Sequence, residues 1–342
     1  MNTRFGIKVI AETGDRFSGF APYVASINNF GVVAFQAALR KGGSGVFRLD
    51  EGTAECLAET GDGALVEVIS HPDIDNGGNV CFYADLSSGS QGVLGVVDGR
   101  LHSLLDARSL FKCIGPLGPT MNDQGAVAFR ADTADGTSGV FVCDSTRVTP
   151  IALADSEFRA FQGLPVVADG GTVLFRADMV DGLGAIGIFR HGVISLVADT
   201  RDRFREFGRF PTMNNTGTVV FAGAVRDGGW GVFTANSKGL LQAIDAAGTF
   251  ESVRGALIDG TGGVVFFGTP KGGSLGIYAG LDPVEDRVLG FGDPLFGSVI
   301  ADFALNPVSI NDAGQLVVRV TLADGRQFIL RLDPCTALST VT

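Results

Sequence analysis

Tryptophan occurs once, tyrosine three times and histidine three times in 342 residues. The histidines, His71, His102 and His191, are far apart, and no H-x-H, H-E-x-x-H or clustered Cys/His spacing exists. That excludes the usual zinc sites, and no metal is expected. Five cysteines (Cys56, Cys81, Cys113, Cys143, Cys335) form no CxxC and no regular framework. Their odd count and wide spacing predict reduced thiols in a cytoplasmic protein. Cys113, in a predicted loop, is expected to be the most accessible. No apolar run approaches the roughly 20 residues that span a bilayer, and the first residues carry no secretory signal pattern. Nucleophile elbows, P-loops and dinucleotide fingerprints are missing too, so no cofactor is expected. Basic residues are outnumbered 37 to 26 by acidic ones, giving a net charge of −11. Such a surface repels phosphate backbones and anionic lipid, which argues against nucleic-acid and membrane partners.

Glycine is abundant at 50 residues and phenylalanine at 26. Glycine beside many Val and Phe indicates short strands and tight turns. A repeat organises them. INNFGVVAF (27–35), IDNGGNVCF (74–82), MNDQGAVAF (121–129), VADGGTVLF (167–175), MNNTGTVVF (213–221), IDGTGGVVF (258–266) and INDAGQLVV (310–318) align on one glycine. The spacings of that glycine are 47, 47, 46, 46, 45 and 52 residues. Within the fifth copy, RFPTM, TVVFAGAV, WGVFTAN and LLQAIDA read as four strands joined by NNTG, RDGG and SKG turns. The apolar runs do not alternate, so each sheet is covered on both faces.

Four-stranded sheets covered on both faces and repeated seven times predict an all-β, seven-bladed β-propeller filling one domain over 1–342. A β-solenoid is the rival, but its coils are usually shorter than this period. The repeats run at about 16–62, 63–109, 110–156, 157–202, 203–248, 249–293 and 294–342. The chain ends soon after a third strand, RQFILRL (326–332), and begins with FGIKVIAETGD (5–15), which matches a fourth-strand slot. Residues 5–12 are therefore expected to close the ring as the outer strand of the seventh blade. The tail LDPCTALST (332–340) resembles LDEGTAECL (49–57) and competes for that edge; the N-terminal strand is preferred because its loop leads straight into blade 1. The segment AETGD, present at 11–15 and 58–62, then marks a junction between an outer strand and the next blade.

The N-x-x-G-x-V-x-F core is followed ten residues after its Phe by G-V-F (Gly45-Val46-Phe47, Gly139-Val140-Phe141, Gly231-Val232-Phe233). This resembles bacterial tandem-repeat seven-bladed β-propeller proteins over essentially the whole chain. The resemblance implies the fold and carries over no catalytic residue.

Two constellations stand out. The loop DTRDRFREFGRF (199–210) concentrates Arg201, Arg203, Arg205 and Arg209, and Arg226 and Trp230 follow on the next loop of that face. Arginine forks bind carboxylates and tryptophan supplies an amphipathic anchor. Against this, Asp199, Asp202 and Glu206 interleave, which also fits surface ion pairs of small energetic worth, and Phe204 and Phe207 fit wedges between blades. The second constellation is Asp85, Asp132 and Asp178 at one slot of three consecutive blades. Neighbouring sheets lie roughly 10 Å apart, too far for one shared ion unless loops converge. His71 precedes an inner strand, where it either faces the channel or makes a structural hydrogen bond. The sequence thus points to a monomeric, non-catalytic binding or accessory protein that holds a peptide or protein segment, carboxylate-bearing, on one rim at the arginine/tryptophan corner. The alternative is a propeller hydrolase or lyase using the rim carboxylates.

Overall fold

A computed structural model describes residues 5–335, apart from Asp62, Ser145, Ala246 and Ala247. No α-helix occurs among the described residues; the chain forms seven antiparallel sheets of four or five strands. Blade 5 shows the plan. Phe204–Phe207 and Thr212–Met213 are two pieces of one inner strand, and both pair with Val219–Val225; Trp230–Asn236 and Gly239–Asp245 follow outward. The inner strand is split because Arg209–Pro211 leaves the ladder after Gly208 N–H bonds Ala222 C=O, and proline cannot donate to it. Each blade turns from first to second strand through an Asn/Asp-rich loop in which the repeat glycine takes positive φ, as Gly217 does at 81°.

The blades close into a ring, as expected for a propeller. Seven buried clusters exist, and each straddles two successive blades. Val220, Val232 and Ile244 of blade 5, for example, pack on Phe250, Phe266 and Tyr278 of blade 6. Val317 and Ile329 of blade 7 pack with Phe17, Phe35 and Phe47 of blade 1, which joins the two ends of the series. This is why the strands are apolar on both sides: each face is the core of a different interface.

The ring is sealed by Phe5–Glu12, which pairs antiparallel with Gln327–Pro334 as the outer strand of blade 7. The sequence reading of 5–12 as the closing strand is what the sheet shows. The competing tail reaches into that same third strand through Asp333 and Pro334, and its residues 336–342 lie outside the described region. The AETGD junction has a repeated structural duty. The Thr13 hydroxyl accepts Gln327 N–H at 3.0 Å, the Thr60 hydroxyl accepts Ser44 N–H at 3.0 Å, and Thr200 in the related ADTRD accepts Gly184 N–H at 2.8 Å. The threonine ties the start of the third strand to the end of the fourth.

Candidate functional site

The two faces of the ring differ in chemistry. On the face of the Asn-x-x-Gly turns, side chains form a belt. Asn28 accepts the N–H groups of Phe30 and Val32 in its own turn and donates to Asp75 C=O of the next blade at 2.9 Å. Asn122, Asn214 and Asn311 do the same toward Ala168, Asp259 and Asn28. A second, more exposed row links Asn29 to Asn76, Asn76 to Asp123, Asp123 to Asp169 and Asp169 to Asn215. Gly260 interrupts this row in blade 6, where only a backbone bond to Asp312 remains. The belt surrounds a well of about 150 Å³ at the axis.

The inner strands close the well from below. In blade 3 the Thr120 hydroxyl donates to Pro165 C=O of blade 4 and accepts Val167 N–H. Blade 2 has Asp73 in that slot, and both of its carboxyl oxygens accept backbone N–H groups, from Ile74 and Met121. The task is divided. Asp73 accepts Met121 N–H at 2.8 Å, while Nε2 of His71 bonds Pro119 C=O at 3.2 Å. The Nδ1 of His71 meets the Asn306 amide of blade 7 at 3.4 Å, so the ring lies across the axis. Gly118 makes room for it; a Cβ there would meet the imidazole at 2.4 Å. Burial lowers the His71 pKa to about 4 and raises that of Asp73 to about 7. His71 thus has the hydrogen-bonded structural role, bridging blade 2 to blades 3 and 7.

The opposite face carries the fourth-to-first loops and the second-to-third turns. Arg226, on such a turn, donates to the carbonyls of Thr200, Arg201 and Asp202 and fixes that loop. Arg201 lies 3.8 Å from Asp181 and 3.6 Å from Asp199, both partly exposed pairs. Arg203 stacks over the Phe233 ring at 5.1 Å and near Phe204 at 5.6 Å. Phe204 and Phe207 are buried wedges between blades 4 and 5. Trp230 is half-buried; in register Glu206 faces Ala224 and Ala224 faces Trp230, so it lies in the same row two strands outward. Arg205, on Phe204–Phe207, and Arg209, in the break after it, are exposed, and no hydrogen-bond or ion-pair partner is found for either among the described residues. Arg201, Arg203 and Arg226 are thus engaged by the protein at the loop and turn of blade 5, Arg205 lies on the first piece of the inner strand, and Arg209 lies in the break that follows it.

The three aspartates do not converge. Asp85 accepts from Gln91 at 3.3 Å, Asp132 from the Cys113 thiol at 3.3 Å and Asp178 from Gln162 at 2.9 Å, each inside its own blade. Among the described residues no group of three or more His, Cys, Asp or Glu is arranged to hold a metal. Cys113 is exposed, as are Cys56 and Cys335, whereas Cys81 and Cys143 are buried. The FRAD motifs place Arg130 and Arg176 beside Asp132 and Asp178 in the sequence, but the motif alone gave these arginines no role apart from the aspartates.

No family model matches the chain, and no curated protein matches it by sequence. Solved structures do resemble it in fold. A prolyl endopeptidase superposes with a TM-score of 0.57 at 9% identity, over 92% of this chain and 51% of that one. An oligogalacturonate lyase from Vibrio parahaemolyticus gives 0.56 at 12% identity, covering 96% of both chains. A puromycin-hydrolysing peptidase from Mycobacterium tuberculosis gives 0.55 at 13%, over 92% and 52%. The chain spans about half the length of the two peptidases. At these identities the likeness is one of fold, shared by proteins with different activities.

Proposed function

We propose that the protein is a non-catalytic binding protein that holds a carboxylate-bearing peptide or protein segment on the rim of blade 5. The observation that carries this reading is the pair of free guanidinium groups, Arg205 on the strand anchored by buried Phe204 and Phe207 and Arg209 two residues beyond its end. The adjoining loop is already fixed by Arg226. A ligand docking there orders little of the protein, so little binding energy is lost to immobilisation. Trp230 adds an aromatic surface in the same row. It is also the chain's single tryptophan, which makes its fluorescence a direct reporter. Titration with acidic peptides should change that fluorescence saturably, and Arg205→Ala should weaken binding at least about tenfold, or roughly 1.4 kcal/mol. Unchanged affinity in both Arg205→Ala and Trp230→Ala would remove this site.

A further inference from the structure

We infer that Arg130 and Arg209 together form a carboxylate seat where blades 3, 4 and 5 meet, a point that rests on and deepens the reading above. Three blades carry arginine at one slot of the second strand: Arg130, Arg176 and Arg319. Two of them are neutralised. Arg176 lies 3.3 Å from Asp178, and Arg319 lies 3.1 Å from Asp302. Arg130 has no carboxylate within ion-pair distance among the described residues; Asp132, the counterpart of Asp178, accepts the Cys113 thiol and acts on Arg130 from farther away. Its Nη1 donates to Gly163 C=O of blade 4 at 2.8 Å, and its Nε is sealed from solvent with no acceptor. The guanidinium is anchored and half-buried, and no carboxylate forms an ion pair with it, although Asp132 acts on it from farther away. A partly desolvated cation left unpaired is costly, and an anion relieves that cost.

Arg209 is brought to the same place by a glycine. Gly163 has φ +61°, and a Cβ on it would lie 1.9 Å from the Arg209 carbonyl oxygen. The backbone of blade 5 therefore rests directly on the residue to which Arg130 is bonded. Burial is the main cause that lowers the Arg130 pKa; Tyr83 and Asp132 raise it and Arg209 lowers it, so Arg209 and Asp132 are both within electrostatic reach of Arg130. Two planar forks suit a planar, singly charged carboxylate. The net charge of −11 weighs against a dianionic phosphate.

The test is arginine Nε–Hε NMR on the full-length labelled chain, titrated with acetate and then with one acidic peptide as free acid and as C-terminal amide. The Arg130 and Arg209 signals should move together and saturate, and Arg209→Ala should weaken the Arg130 response at least fivefold. Arg130→Gln should do the same to Arg209; if that variant fails to fold, the exposed Arg209→Ala still decides. A silent Arg130, an Arg130 response unaltered by Arg209→Ala, or tighter binding of inorganic phosphate than of acetate would overturn the seat. A free acid that outbinds its amide assigns the seat to a chain terminus, and equal binding with Arg130 still responding assigns it to a side-chain carboxylate. If peptides bind in an Arg205-dependent way while acetate leaves Arg130 silent, the seat fails and the binding reading stands. If acetate binds and no peptide does, the binding reading fails and the seat stands.

Discussion

His71 and Asp73 show how two residues replace one hydroxyl, and their titrations oppose each other. Asp73 has its carboxyl raised from 3.8 to about 7 by burial. The native state therefore holds a proton that the unfolded chain releases, and this contribution, roughly 4 kcal/mol, is full below the unfolded value and lost as pH rises through 7. His71 is lowered from 6.5 to about 4. Its contribution is full above the unfolded value and is lost as pH falls through 4, roughly 3 kcal/mol. Between about pH 4 and 6.5 the two changes offset. Asp73→Ser restores the hydroxyl type present at Ser26, Thr120, Thr212 and Ser309. It should raise the calorimetric melting temperature at pH 8, with a smaller gain at pH 5. It should also make stability fall more steeply from pH 6.5 to 4, since the His71 change is no longer offset. A gain independent of pH would show that the buried carboxyl is not what costs stability.

At the level of the strand, the closing element was legible because its phase is arithmetic: a chain that ends on a third strand and begins on a fourth-strand pattern has one way to leave no open edge. Deleting residues 1–12 should expose the edge of Gln327–Pro334 and the buried Ile10 contact. The expected outcome is a lower melting temperature and concentration-dependent association in light scattering. A monomer of unchanged melting temperature would mean that another segment takes the edge. The split inner strand was less legible. In blade 5 its pieces are separated by Arg209–Pro211, whereas in blade 4 Gly163–Pro165 forms a bulge inside the single strand Phe158–Val167, and both departures from the ladder depend on contacts with neighbouring blades. The cluster Arg201, Arg203 and Arg226 was legible as a location, but how each arginine is used was not. Whether a guanidinium meets a carbonyl, a ring or solvent is decided by a loop path that a repeat period does not encode.

For the whole molecule, the belt of asparagines joins blades that are otherwise held by apolar packing. Asn214 ties its own turn through Thr218 N–H and reaches Asp259 C=O of blade 6. Asn214→Ala should cost about 1–3 kcal/mol in denaturant unfolding, because both partners lose a bond in a confined place. An effect below measurement error would show that the belt is decoration on the packed ring. The period made the ring visible in the sequence, since seven equivalent glycines define seven equivalent sheets. The anion seat was hidden, since it arises where one copy departs from its siblings: Asp132 turns to Cys113 and makes no ion pair with Arg130. The closing strand also sets a clock. Thr13 and Gln327 bond each other although 314 positions separate them. At synthesis rates of roughly 5–20 residues per second, the first strand waits on the order of 15–60 s for its partner to leave the ribosome. During that interval its apolar residues lack their final neighbour, so the nascent chain, not the finished ring, is the form most in need of protection.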